Sequence, residues 1–89
     1  MDKLEEYRQE IDQLDEQIQR LLVQRRELTE QVGIYKREHQ IPVEQEGREK
    51  EIYHNIATNY PIPVAEDLFE IYRKIIAVSK RQQEDEHCE

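Results

Sequence analysis

LEEYRQEIDQLDEQIQRLLVQRRELTEQVGIYK, Leu4 to Lys36, decides the architecture. Apolar residues recur at Leu4, Tyr7, Ile11, Leu14, Ile18, Leu21, Leu28, Val32 and Tyr35, in alternating steps of three and four. That spacing lays one unbroken stripe along an α-helix. Only one beat of the stripe is not apolar: position 25 carries an arginine. A guanidinium in an apolar seam costs several kcal/mol unless an anion meets it. Two readings of Arg25 stand at this point. It sets the register of a plain coiled coil, or it receives an anionic ligand.

The stripe predicts a first helix from Leu4 to Glu38, with no proline and with Gly33 as its one weak residue. Such a helix is roughly 50 Å long, whereas a compact domain of this size is only about 30 Å across. The helix must project beyond its own domain, and two such helices crossing in a dimer is the simplest resolution. His39 to Gln45 reads as a connector stopped by Pro42. A second helix is expected from Glu46 to Asn59, with Ile52, Tyr53, Ile56 and Tyr60 on its apolar face. Asn59 to Pro63 is a second break, and Pro63 suits the first position of a third helix, with Glu66 and Asp67 in its first turn. Val64, Leu68, Ile71, Tyr72, Ile75 and Ile76 form that helix's apolar face, and Ser79 and Gln83 continue it. Glu84 to Glu89 reads as a frayed acidic tail. The fold class is therefore all-α, with three helices per chain and one domain over residues 1–89.

Composition narrows the partners. Thirteen basic and 21 acidic residues leave a net charge of −8, the wrong sign for a duplex-binding protein or an anionic membrane surface. No apolar run approaches a membrane span, and no signal-peptide pattern follows Met1. The single cysteine, Cys88, has no intrachain partner and fits a reducing cytoplasm. Apolar residues make up 36% of the chain and charged ones 38%, which is thin for a monomeric core and suits helices that complete their core in a partner.

Arg8 and Lys36 lie on the stripe beside the one that Arg25 interrupts. Arg25 and Lys36 are eleven residues apart, so they point nearly the same way. They stand about 16 Å apart along the axis, able to grip opposite ends of a small molecule. Arg8 is too distant on the same helix, but in an antiparallel pair it approaches the middle of the other chain. Arg48 and Glu49 precede the apolar face of the second helix, and Ser79 and Gln83 close that of the third. Several cations with a few neutral donors would suit a ligand with two carboxylates. Each group also has a plainer role: Lys36 and Arg8 as solvated flank charges, Arg48 and Glu49 as first-turn charges, Ser79 and Gln83 as a stripe fading into solvent. His39, His54 and His87 lack metal-ligand spacing. No nucleophile set or glycine-rich phosphate loop stands out, so the expected chemistry needs no metal and no cofactor.

Taken together, Arg8 to Asp15, Leu21 to Arg26, Val32 to Lys36, Pro42-Val43, Arg48-Glu49, Ile75-Ile76, Ser79 and Gln83 resemble the all-helical (AroQ-class, type II) chorismate mutases. The ordered set, with its spacings, spans Leu4 to Gln83. The resemblance implies an intertwined homodimer with two shared active sites that rearrange chorismate to prephenate in aromatic amino acid biosynthesis. By family role, Arg8 of one subunit and Arg25 of the other bind the two carboxylates, with Arg48 and Ser79 nearby. Lys36 and Gln83 address the ether oxygen of the breaking bond, Glu49 holds the ring hydroxyl, and Val32 and Ile76 form apolar walls. Gln45 departs from the pattern, because many relatives carry an aspartate there that helps with the hydroxyl and with Lys36. Two alternatives remain: an isochorismate-pyruvate lyase, similar in fold and charged groups, and a non-catalytic helical dimerisation or regulatory module. Association with another shikimate-pathway enzyme is left open.

Overall fold

A computed structural model describes residues 2–43 and 46–87. Three helices follow one another, α1 (Lys3–Glu38), α2 (Glu46–Asn59) and α3 (Ile62–His87), and no strand occurs among the described residues. The all-α class and the helix count are as the sequence predicts. None of these helices is long and apolar enough to cross a membrane.

The ends of α1 are built locally. The Asp2 carboxylate caps the N-terminus by accepting from the Leu4 amide at 3.1 Å. Glu5 and Glu6 occupy the first turn and Lys36 and Arg37 the last, each sign matched to the helix dipole. At the C-terminus the Gln40 amide donates to the Arg37 carbonyl and the Ile41 amide to the Lys36 carbonyl. That pair of bonds is the Schellman pattern, which needs a left-handed residue just past the cap. Gln40 supplies it with φ 56°, where glycine is the usual occupant. Pro42 then prevents any return to helix.

α3 begins one residue earlier than expected, at Ile62, so Pro63 sits inside the first turn rather than at its first position. It remains tolerated there because that amide needs no helical partner. The shift leaves Glu66 and Asp67 beyond the first turn, which holds no acid. At the other end the helix continues through His87, into the stretch expected to fray.

α3 is the central element, with α1 and α2 each packed on it. Its buried residues are Ala65, Ile76, Ser79 and Gln83. Phe69 adds an edge-on contact with Tyr53 of α2, ring centres 5.8 Å apart. Val64 and Ile71, expected on the same face, are exposed. α3 therefore has two apolar stripes, one for its own chain and one that the chain leaves open.

The same division governs α1. Its own-chain face runs through Arg25, Thr29, Gly33 and Lys36, and Gly33 is its buried residue. The long seam points elsewhere: Leu4, Tyr7, Ile11, Leu14, Ile18, Leu21, Leu28 and Tyr35 are all exposed. Every residue from Asp2 to Gln24 is exposed. The chain extends 57 Å in its longest direction. Its radius of gyration is 16.6 Å, against about 12 Å for a compact domain of this length.

Replacing Gln40 by glycine should raise stability. The left-handed backbone costs a side-chain-bearing residue about 1–2 kcal/mol, and glycine's looser unfolded state takes back roughly 0.5–1 kcal/mol. The net expectation is a gain of about 0.5–1 kcal/mol in urea unfolding. A loss would mean that the Gln40 side chain contributes more than its backbone costs.

Candidate active site

A half-open cavity of about 430 Å³ lies among the three helices, within the usual range for small-ligand sites. From α1 it is lined by Arg25, Leu28, Thr29, Val32 and Lys36. Arg48, Glu49 and Ile52 come from α2, while Ile76, Ser79, Lys80 and Gln83 come from α3, with Val43 of the connector at one side. Six of the eight residues singled out in the sequence meet here: Arg25, Lys36, Arg48, Glu49, Ser79 and Gln83. Arg8 does not, being 17 residues before Arg25 on the same helix and so about 25 Å away along its axis. Gln45 lies outside the described residues.

Arg25 donates through Nη1 to the Ser79 hydroxyl. That hydroxyl in turn donates to the Ile75 carbonyl at 2.9 Å. Ser79 therefore fixes the guanidinium without neutralising it, and its own hydrogen is committed to the α3 backbone. Among the described residues, no acidic side chain pairs with Arg25.

Lys36 donates from Nζ to Gln83 Oε1 at 2.7 Å and to the Val43 carbonyl at 2.9 Å. An ammonium has no acceptor capacity, so the oxygen of the Gln83 amide must face it. The Gln83 NH₂ is then the group left for a guest, and the ammonium keeps a third N–H. Burial pushes Lys36 below the ordinary lysine pKa, because desolvation disfavours the charged form. Between the lowered folded value and the ordinary one, the unfolded chain holds the proton and the folded chain does not. Stability therefore rises with pH across that alkaline window, and at neutral pH the charged lysine opposes folding.

Arg48 is the loosest member, two-thirds exposed and 3.7 Å from Glu51. Glu49 instead meets Lys80 across α2 and α3, Nζ to Oε2 2.9 Å. Thr29, whose hydroxyl lies 2.9 Å from the Gln82 amide oxygen, joins the wall between Arg25 and Lys36. The sequence reading passed over Lys80 as a site residue. The signal was present: Ile76, Ser79, Lys80 and Gln83 repeat at helical spacing and share a face.

The chain matches the family described as chorismate mutase type II over residues 7–84. It is 37% identical over 82 residues to a bifunctional chorismate mutase/prephenate dehydratase of Aquifex aeolicus (strain VF5). That match takes in 86% of this chain and 23% of the relative, so the chain spans about a quarter of the relative's length. No solved structure matches it.

The Lys36 geometry makes a prediction that does not involve turnover. In an NMR titration of the lysine Nζ groups, Lys36 should lose its proton at lower pH than the exposed lysines. Adding malonate, a dicarboxylate, should move that transition upward, since a nearby anion favours the charged form. A Lys36 transition indifferent to malonate would deny it a place in an anion site.

Proposed function

Since the chain belongs to the chorismate mutase type II family, we propose that it catalyses the intramolecular rearrangement of chorismate to prephenate, in aromatic amino acid biosynthesis. The observation that carries this is Arg25: a cation held by a hydroxyl, unneutralised by any described acid, in the wall of a ligand-sized cavity. A non-catalytic helical dimer would instead need that guanidinium ion-paired and the space around it filled.

The reaction needs no nucleophile. Arg25 binds one carboxylate of the substrate and Glu49 accepts a hydrogen bond from its ring hydroxyl. Arg48 and Ser79 contribute to carboxylate binding, Arg48 directly and Ser79 through its hold on Arg25. Gln45 is a further hydroxyl contact in this scheme. Val32 and Ile76 are the apolar walls. Fixing both ends of a flexible dianion selects the compact conformer in which the reacting carbons meet. Lys36 and the Gln83 NH₂ donate to the ether oxygen, which grows more negative as its bond breaks. Donors placed in advance favour the transition state over the ground state, which lowers the barrier.

The second carboxylate belongs to Arg8 of a partner subunit, in an intertwined homodimer with shared active sites. The unmatched surface supports this. A compact monomer of 10.9 kDa exposes about 5,600 Å², whereas this chain exposes 7450 Å². The excess is comparable to what one partner loses in a large obligate interface, and the bare α1 seam is where it lies. The single cysteine fits a cytoplasmic enzyme. The relative's name couples the mutase to prephenate dehydratase, and an enzyme that consumes prephenate is the neighbour expected for this chain.

The deciding experiment is a product assay. Chorismate should yield prephenate; pyruvate with salicylate from isochorismate would identify a lyase, and no product from either would leave a binding module. Lys36→Ala should lower kcat/KM about a hundred- to a thousandfold, as loss of one preorganised donor does, while dimerisation by sedimentation stays nearly intact. Equal loss of both would assign Lys36 a structural role. Arg8→Ala and Arg25→Ala chains, each inactive alone, should regain activity when unfolded and refolded together, because one of the two hybrid sites is complete. Continued inactivity despite demonstrated heterodimers would rule out a site shared between subunits.

A further inference from the structure

We propose that Lys80 is a positioning residue of this site, acting on the substrate's ring hydroxyl through Glu49. This rests on the mutase reading above and extends it to a residue to which that reading gives no part.

The Lys80–Glu49 pair differs in kind from the other described ion pairs. Lys3–Glu6, Arg20–Glu16 and Arg48–Glu51 each join neighbours on one helix, at 3.7–4.0 Å, with at least one partner two-thirds exposed or more. Such pairs contribute little. Lys80–Glu49 joins α3 to α2 at 2.9 Å, with side chains 29% and 25% exposed, and both residues line the cavity.

Among the described residues, Glu49 is the one acid lining a cavity that also holds Arg25, Lys36, Arg48 and Lys80. A bare carboxylate there would repel a dianionic guest, and at short range in a partly desolvated wall that repulsion is strong. Lys80 offsets it. The pairing also divides the carboxylate: Oε2 is taken by the ammonium, which leaves Oε1 to accept from a neutral donor such as a hydroxyl. The neutralised carboxylate thus discriminates between the two polar ends of the substrate, welcoming its hydroxyl and not its carboxylates. An ammonium on α3 also locks the rotamer of a side chain on α2, so the acceptor is in place before binding.

The test is steady-state kinetics on chorismate with Lys80→Met, Lys80→Arg, Glu49→Gln and the Glu49→Gln/Lys80→Met double variant, each first checked for its melting temperature. Lys80→Met should raise KM about tenfold with kcat changed less than about threefold, the signature of lost binding common to ground and transition states. Lys80→Arg should recover most of that loss. In the Glu49→Gln background Lys80→Met should add less than about a twofold change, because a residue that works through Glu49 has nothing left to position. An unchanged KM in Lys80→Met would overturn the proposal. So would an equal penalty with and without Glu49, which would place Lys80 on the substrate itself. Should Lys80→Met not fold, Lys80→Gln carries the same comparison. A wild-type chain that forms no prephenate would remove the mutase reading itself, whereas an active wild type with an indifferent Lys80 removes only this inference.

Discussion

The hydrogen bond from Arg25 to Ser79 is the contact on which the rest of this structure turns. A buried or half-buried guanidinium has two ordinary solutions, an acid or a return to water. Here it has neither in full: a hydroxyl orients it, and that hydroxyl is itself tied to the Ile75 carbonyl. The α1–α3 contact is thus built around a charge that is placed but not cancelled. A leucine at this position would pack the α1–α3 contact without leaving a charge in it, and the anion-binding role proposed for Arg25 accounts for the exception.

Lys36 repeats the pattern with a different balance. Its carbonyl closes the Schellman cap through Ile41, while its ammonium holds Val43 and Gln83. One residue thereby ends the long helix, folds the connector against the cavity and orients the amide across it. Its burial opposes the charge that this role requires. In the function proposed above, stability and binding pull in opposite directions at this lysine, as they commonly do where a site is preorganised.

Much of this was legible in the chain itself because helical periodicity is a strong signal. The α1 seam and the shared direction of Arg25 and Lys36 follow from spacing, and the breaks at Pro42 and Pro61 follow from proline. The resemblance to a known family then supplied roles that spacing cannot. What escaped was of two kinds. The sense of each apolar face was hidden, since a stripe shows that something is covered but not by what; Ile71 shares a stripe with the buried Ile76 and is bare in the single chain. Cross-helix pairing was hidden too. Spacing puts Lys80 on the face of Ile76, Ser79 and Gln83, but its partner is seen only where α2 brings Glu49 to within 2.9 Å. Gln40 escaped for a simpler reason: a left-handed glutamine carries no sequence signal where a glycine would have announced the cap.

The bare seam of α1 has a kinetic corollary. Leu4, Tyr7, Ile11, Leu14, Ile18 and Leu21 are exposed in the single chain, so a separated subunit of the proposed dimer would present that whole apolar ridge to water. In that proposed dimer, swapping mates would require baring the whole ridge at once. Two chains wound together as proposed would stay together for a time set by unfolding rather than by dilution, and mixtures of variants would then have to be made from denatured strands.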